Sequence, residues 1–142
     1  MEKRTIRMII DSDLEDVALI GISINKLCTL TNLSELDCYN IELSVVEACT
    51  NAIRHAYNNE KGNEVEVEFT IFPEKSIEIS IYDSGKGIEG EIKPKLEFDP
   101  NDLSTLPEGG MGIYLIFNIM DDVIIDKIKG RNRWKLIKYL NK

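Results

Sequence analysis

Hydrophobic and polar positions along this chain follow two periods, and the changes from one to the other divide it into elements. Thr5 to Ile10 is a short β-prone run that reads as a strand. Asp11-Ser12-Asp13 then offers a helix cap with Glu15 and Asp16 in the first turn. Leu14, Val17, Ala18, Ile20, Gly21, Ile24, Leu27 and Cys28 follow at helical spacing, which predicts a first helix from about Asp13 to about Leu30. Ser34 opens a second cap, and the helix behind it is expected from about Glu35 to Asn58, with Leu43, Val46, Thr50 and Ile53 as its apolar stripe. After a polar turn at 58–63 the period drops to two. Val65, Val67, Phe69 and Ile71 alternate with Glu64, Glu66, Glu68 and Thr70, and Ile77, Ile79 and Ile81 alternate with Glu78, Ser80 and Tyr82. Pro73-Glu74-Lys75 joins the two as a hairpin with one wet face. From Glu89 to Glu108 no period holds, and a loop of about twenty residues in a compact domain is more often a lid or binding segment. Gly109-Gly110-Met111-Gly112 leads into a third helix carrying Ile113, Leu115, Ile116, Ile119 and Met120. Val123-Ile124-Ile125 and Trp134 to Leu140 are the last two strands, joined by a turn at 129–132. The order predicts an α+β two-layer sandwich: a mixed, largely antiparallel sheet with helices on one face.

Composition narrows the class. At 142 residues, residues 1–142 read as one domain, without internal repeat, linker or low-complexity tail. A formal charge of -8, from 25 acidic and 17 basic residues, argues against direct nucleic-acid binding and against an anionic membrane. It leaves room for a nucleotide, because backbone amides and a metal can hold phosphate, and it suits a basic protein partner. Cys28, Cys38 and Cys49 match no zinc spacing. No cationic-then-apolar leader opens the chain and no apolar run approaches a membrane span, so a cytoplasmic protein with reduced thiols is expected.

Three stretches carry candidate chemistry. On the second helix, Glu47, Asn51 and His55 stand four residues apart and share a face. The Asn51 amide oxygen is a hard ligand for magnesium, and the Glu47 carboxylate can take a proton from a nucleophile. The plain alternative is the polar edge of an amphipathic helix. Asp83-Ser84-Gly85-Lys86-Gly87 ends a strand. There Gly87 lets backbone approach a flat ligand, and an ionised Asp83 can accept from the exocyclic amine of adenine. Its alternative is a glycine turn with a capping Asp. Gly110-x-Gly112 opens a helix, where free amides and the helix dipole favour phosphate, or else serves as a hinge.

In that order and on those elements, Glu47-x-x-x-Asn51, Asp83-x-Gly85-x-Gly87 and Gly110-x-Gly112 resemble the ATP-binding fold of gyrase, histidine kinases, mismatch-repair ATPases and the heat-shock chaperone. Within it the chain is most similar to the small bacterial anti-sigma factor serine/threonine kinases. Glu-Ala-Cys-Thr-Asn-Ala-Ile-Arg-His-Ala-Tyr at 47–57, Gly-Gly-Met-Gly-Ile-Tyr-Leu-Ile at 109–116 and Met120-Asp121-Asp122-Val123 carry that closer match. The resemblance spans nearly the whole chain and implies the histidine-kinase-like ATPase (Bergerat) fold, with an ATP lid at about 89–110. It implies ATP or ADP with Mg²⁺ as cofactors. Asn51 matches the magnesium ligand and Glu47 the base. Asp83 matches the adenine-reading carboxylate, in a pocket shaped by Gly85, Gly87 and Ile88. Gly110, Met111 and Gly112 fall where the lid meets the phosphates, and His55 falls where the family often has His, within reach of the phosphates or as an ordinary helix histidine. The implied activity is transfer of the γ-phosphate to a serine of an anti-anti-sigma partner, with sequestration of a sigma factor. A homodimer through the N-terminal strand and helix is also implied.

Two departures from the family pattern keep a second reading open. Glu108 stands before the glycine pair, where such kinases tend to carry a basic residue, and an acidic group there repels a γ-phosphate. Gly130-Arg131-Asn132-Arg133 enters the last strand where a Thr often helps hold adenine, and Asn132 is the residue at hand to substitute for it. The second reading is a nucleotide-dependent switch that binds its partner with little phosphotransfer. A third is a domain of this fold that has lost nucleotide binding.

Overall fold

A computed structural model describes residues 2–87 and 110–140. The expected lid, with Ile88, Glu108 and Gly109, lies outside the described residues. The chain builds β1 (Arg4–Asp11), a single 3₁₀ turn (Leu14–Asp16), α1 (Val17–Cys28), α2 (Glu35–Asn51) and a π-helical turn (Ala52–Ala56). It continues with β2 (Glu64–Phe72), β3 (Ser76–Asp83), α3 (Gly110–Ile119), β4 (Asp122–Ile128) and β5 (Arg131–Tyr139). The two helix starts follow their capping residues: Asp13 accepts from the Glu15 amide at 3.0 Å, and Ser34 accepts from the Asp37 amide at 3.1 Å.

The sheet runs β1-β2-β3-β5-β4, and each of its four pairings is antiparallel. β5 therefore lies inside the sheet, between β3 and β4, and its first residues face the end of β3. The two-residue turn that feeds it has Lys129 at φ 52° and Gly130 at φ 80°, the doubly positive geometry whose twist suits a tight hairpin. That turn is shorter than the sequence predicts. Arg131 and Asn132 already pair with Ile128 and Lys127, so they belong to the strand.

One sheet face carries Val65, Val67, Phe69, Ile77, Ile79, Ile81, Trp134 and Leu136, all buried beneath the helices. The other is a ladder of cross-strand ion pairs, with Arg7 on Glu68, Arg131 on Glu66, Arg133 on Asp126 and Lys135 on Glu78. Glu66 and Glu68, the polar half of the alternation, thereby find cationic partners two strands or one strand away.

Helix α2 departs from its expected form in two ways. Its buried stripe is Cys38, Ile41, Val45, Ala48 and Ala52, not Leu43, Val46 and Thr50, because α1, α3 and the sheet press on more than one side of it. It also stops being α-helical at Asn51 and ends in a wider turn, which redirects the carbonyl of Ala56 toward the β3 end. Among the described residues, no helix is long and apolar enough to cross a membrane.

Candidate functional site

The C-terminal half of α2, the end of β3, the start of β5 and the first turn of α3 surround a cavity of about 360 Å³. Asn51 and His55 reach it from α2 and its π turn, Asp83 and Gly87 from β3 and the loop behind it, and Ile113 from α3. Three segments far apart in sequence thus meet at one site. Ala48, Ala52, Ile81 and Trp134 form apolar walls. The alanines keep the helix side of the cavity shallow, and the indole supplies a flat surface. Strand alternation was the available signal for Trp134: it lies two residues beyond Asn132, so both side chains point the same way. Lys86, which also lines the cavity, and the wall alanines carried no distinguishing pattern.

Asp83 is 5% exposed. Its Oδ1 accepts from the Asn132 side-chain amide at 2.7 Å and from the Gly85 backbone amide at 3.0 Å. Burial pushes its pKa above the ordinary carboxylate value, and the two hydrogen bonds pull it partly back. Asn132 uses its second N–H on the Gly85 carbonyl at 3.0 Å. The loop behind β3 is therefore clamped from β5. It is clamped from α2 as well: the Lys86 amide donates to Ala56 O at 2.8 Å, and the Ser84 amide donates to the Tyr57 hydroxyl at 2.7 Å. Tyr57 in turn donates to Glu64 O at 2.7 Å, and burial raises its pKa.

The glycines report how tightly these pieces fit. A β-carbon on Gly85 would run into the carbonyl oxygen of Ala56. One on Gly112 would strike the Glu47 carboxylate, so Glu47 and the first turn of α3 lie in direct contact. One on Gly87 would stand 3.0 Å from Lys127 Cε, 3.1 Å from its Nζ and 3.2 Å from Asn132 Oδ1. Gly110 opens α3 beside Met111, whose side chain lies outside the description.

A magnesium–nucleotide group has a counterpart in the donor set. Among the described residues the Asn51 side-chain nitrogen is buried without a hydrogen-bond partner. Nitrogen and oxygen of a carboxamide exchange places on a half-turn, so this cavity-lining side chain has one polar atom without a partner among the described residues. Among the described residues no cluster of three His, Cys, Asp or Glu side chains stands ready to hold a metal alone. One amide ligand, with water and phosphate oxygens completing the shell, is a donor set that magnesium accepts.

Comparison with known proteins gives a consistent result. Residues 10–138 match the family model described as the histidine kinase-like ATPase domain. A protein named serine-protein kinase RsbW from Bacillus velezensis is 31% identical over 140 residues, covering 96% of this chain and 86% of that one. The protein of the same name from Bacillus subtilis (strain 168) is 29% identical over 140 residues, with the same coverage. Among solved structures, the RsbU and RsbW domains of a Mycobacterium tuberculosis protein superpose with a TM-score of 0.68 at 12% identity, over 98% of this chain and 33% of that one. The histidine kinase domain of a blue-light-activated kinase from Erythrobacter litoralis superposes with a TM-score of 0.57 at 16% identity, over 92% of this chain and 62% of that one. At those identities the superpositions speak to the fold alone.

Proposed function

The chain belongs to the histidine kinase-like ATPase family, in the group of anti-sigma serine-protein kinases, and from that premise we propose that it is a cytoplasmic ATP- and Mg²⁺-dependent kinase. It would phosphorylate a serine on an anti-anti-sigma partner and sequester a sigma factor. The observation that carries this reading is the convergence of Asn51, Asp83 and Gly87 on one cavity, with Glu47 held against Gly112 at its α3 side.

Each residue has a physical task in the proposal. Asp83 Oδ2, left unbonded among the described residues while Oδ1 is held, accepts from the exocyclic amine of adenine. Ala48, Ala52, Ile81 and Trp134 cover the base and exclude water from it. Asn51 offers its carboxamide oxygen to the cation, which when bound supplies charge neutralisation for the phosphates. Glu47 takes the proton of the incoming serine hydroxyl and orients that oxygen. His55, exposed on the last turn of the helix, and Gly110, Met111 and Gly112 at the start of α3 are assigned to the phosphate end. Gly85 and Ile88 complete the adenine side, and residues 89–110 the lid. The edge position of β1, which carries exposed Ile9, together with exposed Leu19 and Ile22 on α1, gives a second copy of the chain a surface to pair with.

Incubation with γ-labelled ATP, Mg²⁺ and a candidate anti-anti-sigma protein tests the proposal. Label should move to a partner serine. Glu47→Gln should abolish the transfer while calorimetry still registers nucleotide binding. The second reading, a nucleotide-dependent binding switch, is favoured by Glu108 ahead of the glycine pair. It predicts magnesium-dependent binding with no transfer to any such partner.

A further inference from the structure

The Watson–Crick edge of adenine presents a donor, the exocyclic amine, beside an acceptor, ring N1. A pocket that reads this edge needs one group of each kind. Asp83 supplies the acceptor; the donor is found by accounting for the N–H groups around it. Asn132 is the obvious candidate by position, since it pairs with Asp83 across β3 and β5 and lines the cavity. Both of its N–H groups are already committed, one to Asp83 Oδ1 at 2.7 Å and one to the Gly85 carbonyl at 3.0 Å. Reversing the amide would set its oxygen against a carboxylate and a carbonyl, so this orientation is fixed by its partners. What Asn132 turns toward Gly87 is its oxygen, an acceptor.

The next residue in the same cross-strand row is Lys127, the register partner of Asn132 on β4. Its side chain lies against Gly87, a cavity-lining residue, with Cε and Nζ 3.0 and 3.1 Å from where a β-carbon of Gly87 would stand. An ammonium group has three donors and no acceptor, and the bare backbone of Gly87 leaves it room at this point. Lys86 also lines the cavity, from the loop behind β3, and is the rival donor to Lys127.

We infer that Lys127 is a base-specificity residue, donating through Nζ to ring N1 of an adenine nucleotide while Asn132 holds Asp83 in place for the exocyclic amine. The inference rests on the adenine-nucleotide reading given above. In that arrangement a 6-oxo purine is refused twice: its N1 carries a proton that faces an ammonium, and its O6 faces a carboxylate.

Calorimetry on the full chain with Mg²⁺ and ADP, 1-deaza-ADP (ring N1 replaced by C–H) and 7-deaza-ADP tests it. The native chain should bind 1-deaza-ADP about tenfold more weakly than ADP, the effect of one hydrogen bond from a charged donor, and should bind 7-deaza-ADP like ADP. Lys127→Met should bind ADP and 1-deaza-ADP alike, and Lys127→Arg should restore part of the preference. Lys86→Met should leave the preference intact. If Lys127→Met keeps the tenfold preference, N1 is read by another group and the inference fails. It fails equally if that variant weakens all three ligands by one common factor, which would mark a general attraction for phosphate. Equal binding of ADP and 1-deaza-ADP by the native chain overturns the inference alone. Absence of any ADP binding overturns the nucleotide reading with it.

Discussion

Replacing Gly85 by alanine should damage this protein through contact and not through backbone conformation. Among the described residues the glycines with positive φ are Gly62 and Gly130, so Gly85 has no need of left-handed freedom. Its three nearest obstacles all belong to Ala56: the carbonyl oxygen, the carbonyl carbon at 2.6 Å and the β-carbon at 2.9 Å. None can rotate away, because Ala56 sits in the π turn and its oxygen is held by the Lys86 amide. Ordinary carbon contacts lie near 3.5–4.0 Å, so the loop has to retreat by roughly 1 Å. Overpacking of this kind costs about 1–3 kcal/mol. The retreat also stretches the Lys86–Ala56, Gly85–Asp83 and Asn132–Gly85 hydrogen bonds, each worth about 1 kcal/mol net. With partial relaxation, a destabilisation of about 3 kcal/mol is expected. Urea unfolding followed by circular dichroism would register it as a midpoint lowered by about 1–2 M at unchanged slope. Nucleotide affinity should fall with it, since Asp83 loses a fixed partner. A midpoint within about 0.3 M of the native one would refute the packing of the β3 loop against the π turn.

Gly112→Ala meets a different obstacle, the tip of the Glu47 side chain, which can swing aside. Alanine is about 1 kcal/mol better than glycine inside a helix, so thermal stability should hold or rise while phosphotransfer drops at least about tenfold through the displaced base; unchanged single-turnover rates would contradict the Glu47–Gly112 contact. The raised pKa of Asp83 sets a pH dependence with a defined sign. The ionised form, needed to accept from adenine, costs folding free energy above the folded pKa, and that cost is relieved as pH falls through it, whereas nucleotide affinity is lost over the same fall. ADP affinity should therefore begin to weaken at a higher pH than an ordinary aspartate would set, and an affinity flat down to about pH 4 would exclude a direct role for this carboxylate. Burial pushes the thiols of Cys28 and Cys49 up to about 12, and raises that of Cys38, so none should react with an aromatic disulfide reagent at pH 8 until the chain unfolds. Rapid labelling of the native protein would show that the α1–α2 packing opens.

Local pattern was enough to determine much of this protein. Alternation of valine and isoleucine with glutamate specified β2 and β3 because a half-buried strand has a period of two, and Asp13 and Ser34 marked the helix starts because their side chains satisfy amides that a helix leaves free. The same order of Glu47, Asn51, Asp83, Gly85, Gly87 and Gly112 also indicated which segments had to meet. What the sequence could not contain was everything set by neighbours from elsewhere in the chain. The π turn at Ala52–Ala56 exists where the β3 loop docks, and no propensity marks it. The buried stripe of α2 was settled by α1, α3 and the sheet together, since a helix covered on several sides loses its single apolar face. Above all, the pairing of β5 with β3 set Asn132 beside Asp83 and Trp134 in the cavity wall, and carried Lys127, the hairpin partner of Asn132, to the same place. The β3–β5 pairing joins Asp83 to Asn132 across about fifty positions of sequence, and a one-residue slip there would have turned all three side chains to the opposite face.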